Sequence, residues 1–163
     1  MLSLQPISKR SSATVSPATP QRGTDPVGFI LDTSILIASE RRREPVEGIL
    51  RRVRALHGEV DVALSAVSVV ELTHGMFRAR TSEQRERRRI FAEGALQDLI
   101  VHPFSLEIAQ LAGKIEGEQA ARGIVIGFED LLIGATALHL GFGVATLNVK
   151  HFQLIPGLQI VQL

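Results

Sequence analysis

The sequence predicts an α/β domain: a central parallel sheet flanked by helices. Three observations predict it. Short apolar runs bounded by turn-formers alternate along the chain with longer segments of helical apolar spacing, and that alternation is the signature of parallel strands joined by helices. The first such run, Gly28-Phe29-Ile30-Leu31, goes straight into Asp32-Thr33-Ser34, so an aspartate stands where a buried strand ends. No repeat and no second hydrophobic unit interrupts residues 27–163.

The 163 residues suffice for one domain with a core of its own. The chain is 45% hydrophobic, without Trp or Tyr, so its packing is aliphatic. No apolar run approaches the roughly 20 residues of a membrane span. The absence of cysteine excludes disulfides, thiol nucleophiles and Cys-ligated zinc, and it fits a cytoplasmic protein. Net charge is only +1, but it is unevenly spread. Residues 40–89 carry 12 basic side chains, all arginine, against 8 acidic, whereas residues 90–163 carry 3 against 7. Arginine grips phosphate bidentately; the alternative is a set of solvated helix faces.

Residues 1–26 are rich in Ser, Thr, Pro and Gln, have no hydrophobic period and lack the apolar core of a secretory signal. They are expected to be disordered. A further expectation is a native start at Val27, from a GTG codon. N-terminal sequencing that begins at Met1 excludes it.

Taken in order, Ser34 to Ser39 reads as a short helix or turn with Thr33 or Ser34 as N-cap. Residues 45–57 read as an amphipathic helix, with Val46, Ile49, Leu50, Val53 and Leu56 on one face and Pro45 in its first turn. Val60 to Leu64 is a second strand. Ser65 opens a helix over 66–79 that carries Val67, Val70, Glu71 and Leu72. A charged helix over 82–97 turns Ile90, Phe91 and Leu96 inward. Leu99 to Val101 is a strand, and 105–121 is a helix with Ile108, Leu111, Ala112 and Ile115 inward, closed by Gly123. Residues 129–140 form the most apolar helix, and its small residues allow close packing. Strands follow at Gly143 to Leu147 and Gln159 to Val161.

On this layout, acids stand at special places: Asp32 at a strand end, Glu71 in the first turns of a helix, Asp130 at the opening of the most apolar helix. Asn148 follows a late strand. Carboxylates at strand ends and helix starts can meet at one edge of a parallel sheet. Gathered there they repel one another unless a cation intervenes, and hard oxygen donors suit Mg²⁺ or Mn²⁺. Each has a plainer alternative. Asp32 caps the next helix, Asp130 serves a helix dipole, and Asn148 is a turn residue. Glu71 is harder to assign to structure alone, because a charge amid Val69, Val70 and Leu72 costs stability unless paired. Rival motifs fail. Glu71-x-x-His74 lacks the second copy a di-iron helix needs, which leaves His74 at the surface or core edge. Gly141-Phe142-Gly143 lacks the third glycine of a dinucleotide fingerprint. No Gly-x-Ser-x-Gly elbow occurs, and Asp32-Thr33-Ser34 lacks a dehalogenase-type second aspartate.

The segments Ile30-Leu31-Asp32-Thr33-Ser34, Ser68-Val69-Val70-Glu71-Leu72, Gly127 to Ala137, and Thr146 to Phe152 with Ile155-Pro156-Gly157-Leu158 stand in the order and spacing of one family. The chain resembles PIN domains, most of all VapC-type toxins of bacterial toxin–antitoxin pairs, over residues 28–163. The resemblance implies a PIN-like three-layer sandwich and a Mg²⁺- or Mn²⁺-dependent endoribonuclease acting on tRNA or ribosomal RNA. It also implies a homodimer and a VapB-like antitoxin that masks the site by inserting an arginine among the carboxylates. It makes Asp32, Glu71 and Asp130 the catalytic metal ligands, with Thr33, Ser34 and Thr146 as small polar neighbours. Asn148 falls where many members carry a fourth aspartate, so a second metal site lacks one charge. Gly134 replaces a common alanine. His151 replaces a frequent acid and is not expected to be catalytic. Two alternatives stay open: a PIN ribonuclease of RNA maturation without an antitoxin, and a catalytically silent binding module.

Overall fold

The computed structural model describes residues 26–163. The expectations for residues 1–25 lie outside the described residues. Five parallel strands form one sheet: β1 (Gly28–Leu31), β2 (Asp61–Ser65), β3 (Ile100–His102), β4 (Gly143–Thr146) and β5 (Ile160–Gln162). Among the described residues seven helices connect them: α1 (Thr33–Arg42), α2 (Val46–His57), α3 (Ala66–Phe77), α4 (Ser82–Asp98), α5 (Leu106–Ala120), α6 (Phe128–Leu140) and α7 (Val149–Phe152). The spatial order is β3-β2-β1-β4-β5, and every neighbouring pair is parallel.

Strand alternation explains the three layers. Successive side chains of a strand point to opposite faces. Phe29 and Leu31 of β1 therefore join one core with Ile35, Leu36, Ile49 and Val53 of α1 and α2. Ile30, between them, joins the other with Ile108 and Ile115 of α5 and Leu131 and Ile133 of α6. In the same way Leu64 and Ala145 go to the first core, and Ala63 and Val144 to the second. The sheet is thus covered on both faces, as parallel sheets require. Gly28 sets the close approach of β1 to its neighbour: a Cβ there would lie 2.7 Å from the Asp61 carbonyl and 2.8 Å from the Phe142 ring.

Connections from β1 run outward to β2 and β3, and then the chain returns across β1 to β4. The order therefore reverses between β1 and β4, and ligands of open α/β sheets bind at the carboxyl ends beside such a reversal. Asp32 follows β1 and Thr146 ends β4, so the two residues flank that crevice. The Asp32 N–H donates to the Ala145 carbonyl at 2.9 Å and extends the pairing one residue past β1.

Several expectations are corrected. Helix α1 reaches Arg42 rather than Ser39, and Asp32, not Thr33 or Ser34, occupies its N-cap position. Leu56, Ile90 and Leu96 are exposed, not inward. In α4 the fully buried positions are Ala92 and Ala95, with Phe91 half-buried against the same core. Helix α3 is apolar yet buries only Ser68 fully, so Glu71 sits on a half-open wall rather than in an interior. His74 is exposed, as expected. Helix α7, a single turn, was not foreseen. Among the described residues no helix is long and apolar enough to cross a membrane.

Candidate active site

Asp32 is buried at 4% exposure, yet it does not cap α1: its side chain makes no capping bond. Its Oδ2 instead accepts hydrogen bonds from the hydroxyls of Ser34 and, at 2.7 Å, Thr146. Each hydroxyl also accepts from the backbone beyond β4. The Leu147 N–H donates to Ser34 Oγ at 3.1 Å and the Asn148 N–H donates to Thr146 Oγ1 at 2.8 Å. Ser34 and Thr146 therefore fix the carboxylate and the start of α7 together, across the β1–β4 crevice. Thr33, the first residue of α1, donates its hydroxyl to Glu71 Oε2 and so ties α1 to α3. Asp130 stands in the first turn of α6, and its Oδ2 lies 3.1 Å from Nδ1 of His151 on α7.

The three carboxylates share a pattern. One oxygen of each is taken by a protein donor, and the other has no hydrogen bond from the described residues. They are close enough to act on one another. Burial pushes the Glu71 carboxyl up from its ordinary value; the Thr33 hydroxyl pulls it back, and the charges of Asp32, Glu129 and Asp130 push it up further. Burial likewise raises Asp130, with Asp32 adding to the rise and His151 opposing it. Such a site is short of positive charge and offers three unclaimed carboxylate oxygens, which is the donor chemistry of a hard divalent cation. The side chains do not already stand as a finished coordination cluster: among the described residues no group of three His, Asp or Glu meets that geometry.

Asn148 holds the N-cap position of α7 with an exposed side chain that makes no capping bond, while its carbonyl accepts from the His151 N–H at 3.0 Å. Two residues near the carboxylates went unassigned in the sequence. Glu129 acts electrostatically on both Glu71 and Asp130; its place beside Asp130 in the chain was the available signal. His151 is not expected to be catalytic from the sequence, and only the one-turn geometry of α7 brings it to Asp130. A small groove of about 110 Å³ leads from Glu71 between α1, α3 and α4, past Ile37 and Leu72, to Arg41 and Arg88.

The description PIN domain fits residues 29–157. This chain belongs to the PIN-domain family. Among similar proteins, ribonuclease VapC1 of Rickettsia felis is 31% identical over 135 residues, covering 83% of this chain and 96% of that one. The tRNA(fMet)-specific endonuclease VapC of Salmonella typhimurium is 30% identical, covering 81% and 95%. The PIN domain also superposes on a solved structure of DNA-bound VapBC from Salmonella typhimurium, with a TM-score of 0.71 at 27% identity, over 83% of this chain and 98% of that one. The PIN-like sandwich and the VapC-type character expected from the sequence are therefore both borne out.

Proposed function

We propose that this PIN domain is a VapC-type endoribonuclease that needs Mg²⁺ or Mn²⁺ and is the toxin of a toxin–antitoxin pair. The observation that supports the reading is that Asp32, Glu71 and Asp130 act on one another electrostatically, each with an oxygen unclaimed by the described residues. Those three residues would hold the cation. When bound, it would supply Lewis-acid activation of water and stabilise charge on the phosphate.

The rest is done by side chains. Ser34 and Thr146 hold Asp32 by its Oδ2, and Thr33 holds Glu71 by its Oε2, so α1 and β4 fix two of the three carboxylates. Such supporting hydrogen bonds restrict ligand rotation and tune affinity. Glu71 and Asp130, with raised pKa, retain protons further up the acid range than ordinary carboxyls and release them when a cation arrives. Arginines of the middle segment steer the RNA backbone towards an acidic pocket that repels it until the cation is in place. The partners are an RNA substrate, a VapB-like antitoxin and a second copy of the chain. The exposed Val70 and Phe77 of α3 support self-association. The similar Salmonella protein named as tRNA(fMet)-specific supports a tRNA substrate.

The test is cleavage of tRNA and ribosomal RNA with Mg²⁺ or Mn²⁺, comparing the wild type with Asp32→Asn and Asp130→Asn. Activity is expected in the wild type alone and only with the cation. Equal cleavage by all three proteins, or undiminished cleavage in EDTA, defeats the metal-centre reading. Induction of the gene without its neighbour is expected to arrest growth; normal growth argues against a toxin.

A further inference from the structure

Helix α7 is too short to be stable by itself, yet it is held at three points. Phe152 at its end is fully buried in the core beneath α6. Its start is tied to Asp32, because Thr146 and Ser34 donate to that carboxylate and accept from the Asn148 and Leu147 amides. One turn later the chain presents His151, whose Nδ1 lies 3.1 Å from Asp130 Oδ2. One segment, Thr146 to His151, therefore grips two carboxylates that come from different elements. An ionised carboxylate can only accept, so the imidazole is the donor in this contact. His151 itself is 63% exposed on its side chain, whereas Asp130 is 20% exposed. An exposed imidazole that spends its Nδ1 on a sheltered carboxylate contributes little to the core and much to where that carboxylate points.

We infer that His151 is a positioning residue: by donating from Nδ1 to Asp130 Oδ2 it turns the second oxygen of Asp130 towards the shared crevice and so raises the site's affinity for a divalent cation. The inference rests on the metal-centre reading above and gives His151 a task that reading leaves open. A hydrogen bond to a ligating carboxylate changes metal affinity by about 10–100-fold. The stereochemistry is specific. The amide nitrogen of asparagine falls close to the place of imidazole Nδ1, whereas that of glutamine falls nearer to Nε2. His151→Asn should therefore restore the contact and His151→Gln should not.

The experiment is calorimetric titration of the full chain with Mg²⁺ and with Mn²⁺, without RNA, for the wild type, His151→Ala, His151→Asn and His151→Gln. Thermal unfolding is measured in EDTA on the same samples. His151→Ala is expected to weaken both cations by about 10–100-fold, with the metal-free protein still unfolding cooperatively. His151→Asn is expected to recover most of the loss, and His151→Gln little of it. Wild-type affinity in His151→Ala overturns the inference, as does equal recovery by glutamine and asparagine. Loss of Mn²⁺ affinity with Mg²⁺ affinity intact also overturns it, since imidazole would then be a direct ligand selecting the softer ion. A wild type that binds neither cation overturns the metal centre itself and this role with it, whereas normal wild-type binding with an unaffected His151→Ala overturns this role alone.

Discussion

At the scale of residues, the carboxylates carry a penalty that protonation or a cation removes. Glu71 and Asp130 are raised, first by burial and then by their acidic neighbours. A carboxyl raised by folding contributes stability that is complete below its unfolded value and is lost as pH rises through its folded value. Both groups therefore oppose folding at neutral pH in the metal-free protein. Asp130→Asn is expected to raise the melting temperature in EDTA at pH 7, and the gain should shrink as pH falls towards 3.8, the ordinary value of the group. Scanning calorimetry at several pH values checks this, and a gain that grows in acid contradicts the assignment. Cation binding should act in the same direction. A divalent ion at about 100 times its Kd adds about 2.7 kcal/mol, a rise of roughly 5–10 °C for a domain of this size. Affinity should fall as protons compete in the acid range.

At the scale of elements, Gly134 marks the tightest packing between α6 and the chain after α7. A methyl group there would lie 2.3 Å from Ile155 Cδ1 and 3.3 Å from Leu158 Cδ2, and Ile155 is buried, so its side chain must shift within the core. Alanine gains about 0.5–1 kcal/mol of helix propensity over glycine, but overpacking costs about 1–3 kcal/mol. Gly134→Ala is therefore expected to destabilise by about 1 kcal/mol, the balance of those two effects. Ile155→Val removes the Cδ1 atom that clashes. The double variant should be more stable than Gly134→Ala alone in urea unfolding; additive losses contradict the packing account. The same helix shows what the sequence made legible. Its apolar run, the apolar run of β1 and the acids at element ends are local patterns, so the sheet, most connecting helices and the candidates Asp32, Glu71 and Asp130 followed from them. What stayed hidden depends on distant partners. The last turn of α1, past Ser39, carries no apolar signal of its own and is held by Glu40 pairing with Arg87 of α4 at 2.9 Å. Helix α7 is one turn, below any periodic signal, and His151 could not be aimed without it.

At the scale of the whole molecule, a site made of carboxylates has to attract a polyanion. Structure sorts the arginines that composition lumps together. Arg87 is matched to Glu40, Arg52 to Glu44, Arg54 to Glu59, and Arg89 to both Glu86 and Glu93. Those charges are spent locally. Arg41 is exposed and has no acidic partner among the described residues, and Arg88 donates only to the Gly75 carbonyl. Both line the groove that begins at Glu71. Each phosphate contact releases condensed counterions, so removing one arginine that truly contacts RNA lowers the slope of log affinity against log salt by about 0.7 for a single strand. Arg41→Ala is expected to weaken RNA binding and to reduce that slope by about this amount. Arg54→Ala, which removes a charge already paired with Glu59, should leave the slope nearly unchanged. Fluorescence anisotropy with a non-cleavable RNA across a salt series, in EDTA and then with Mg²⁺, measures both. Added Mg²⁺ should strengthen wild-type and variant binding alike, because it neutralises the carboxylates and leaves Arg41 untouched. If Arg41→Ala and Arg54→Ala change the slope equally, the groove has no special part in binding and attraction comes from net charge alone.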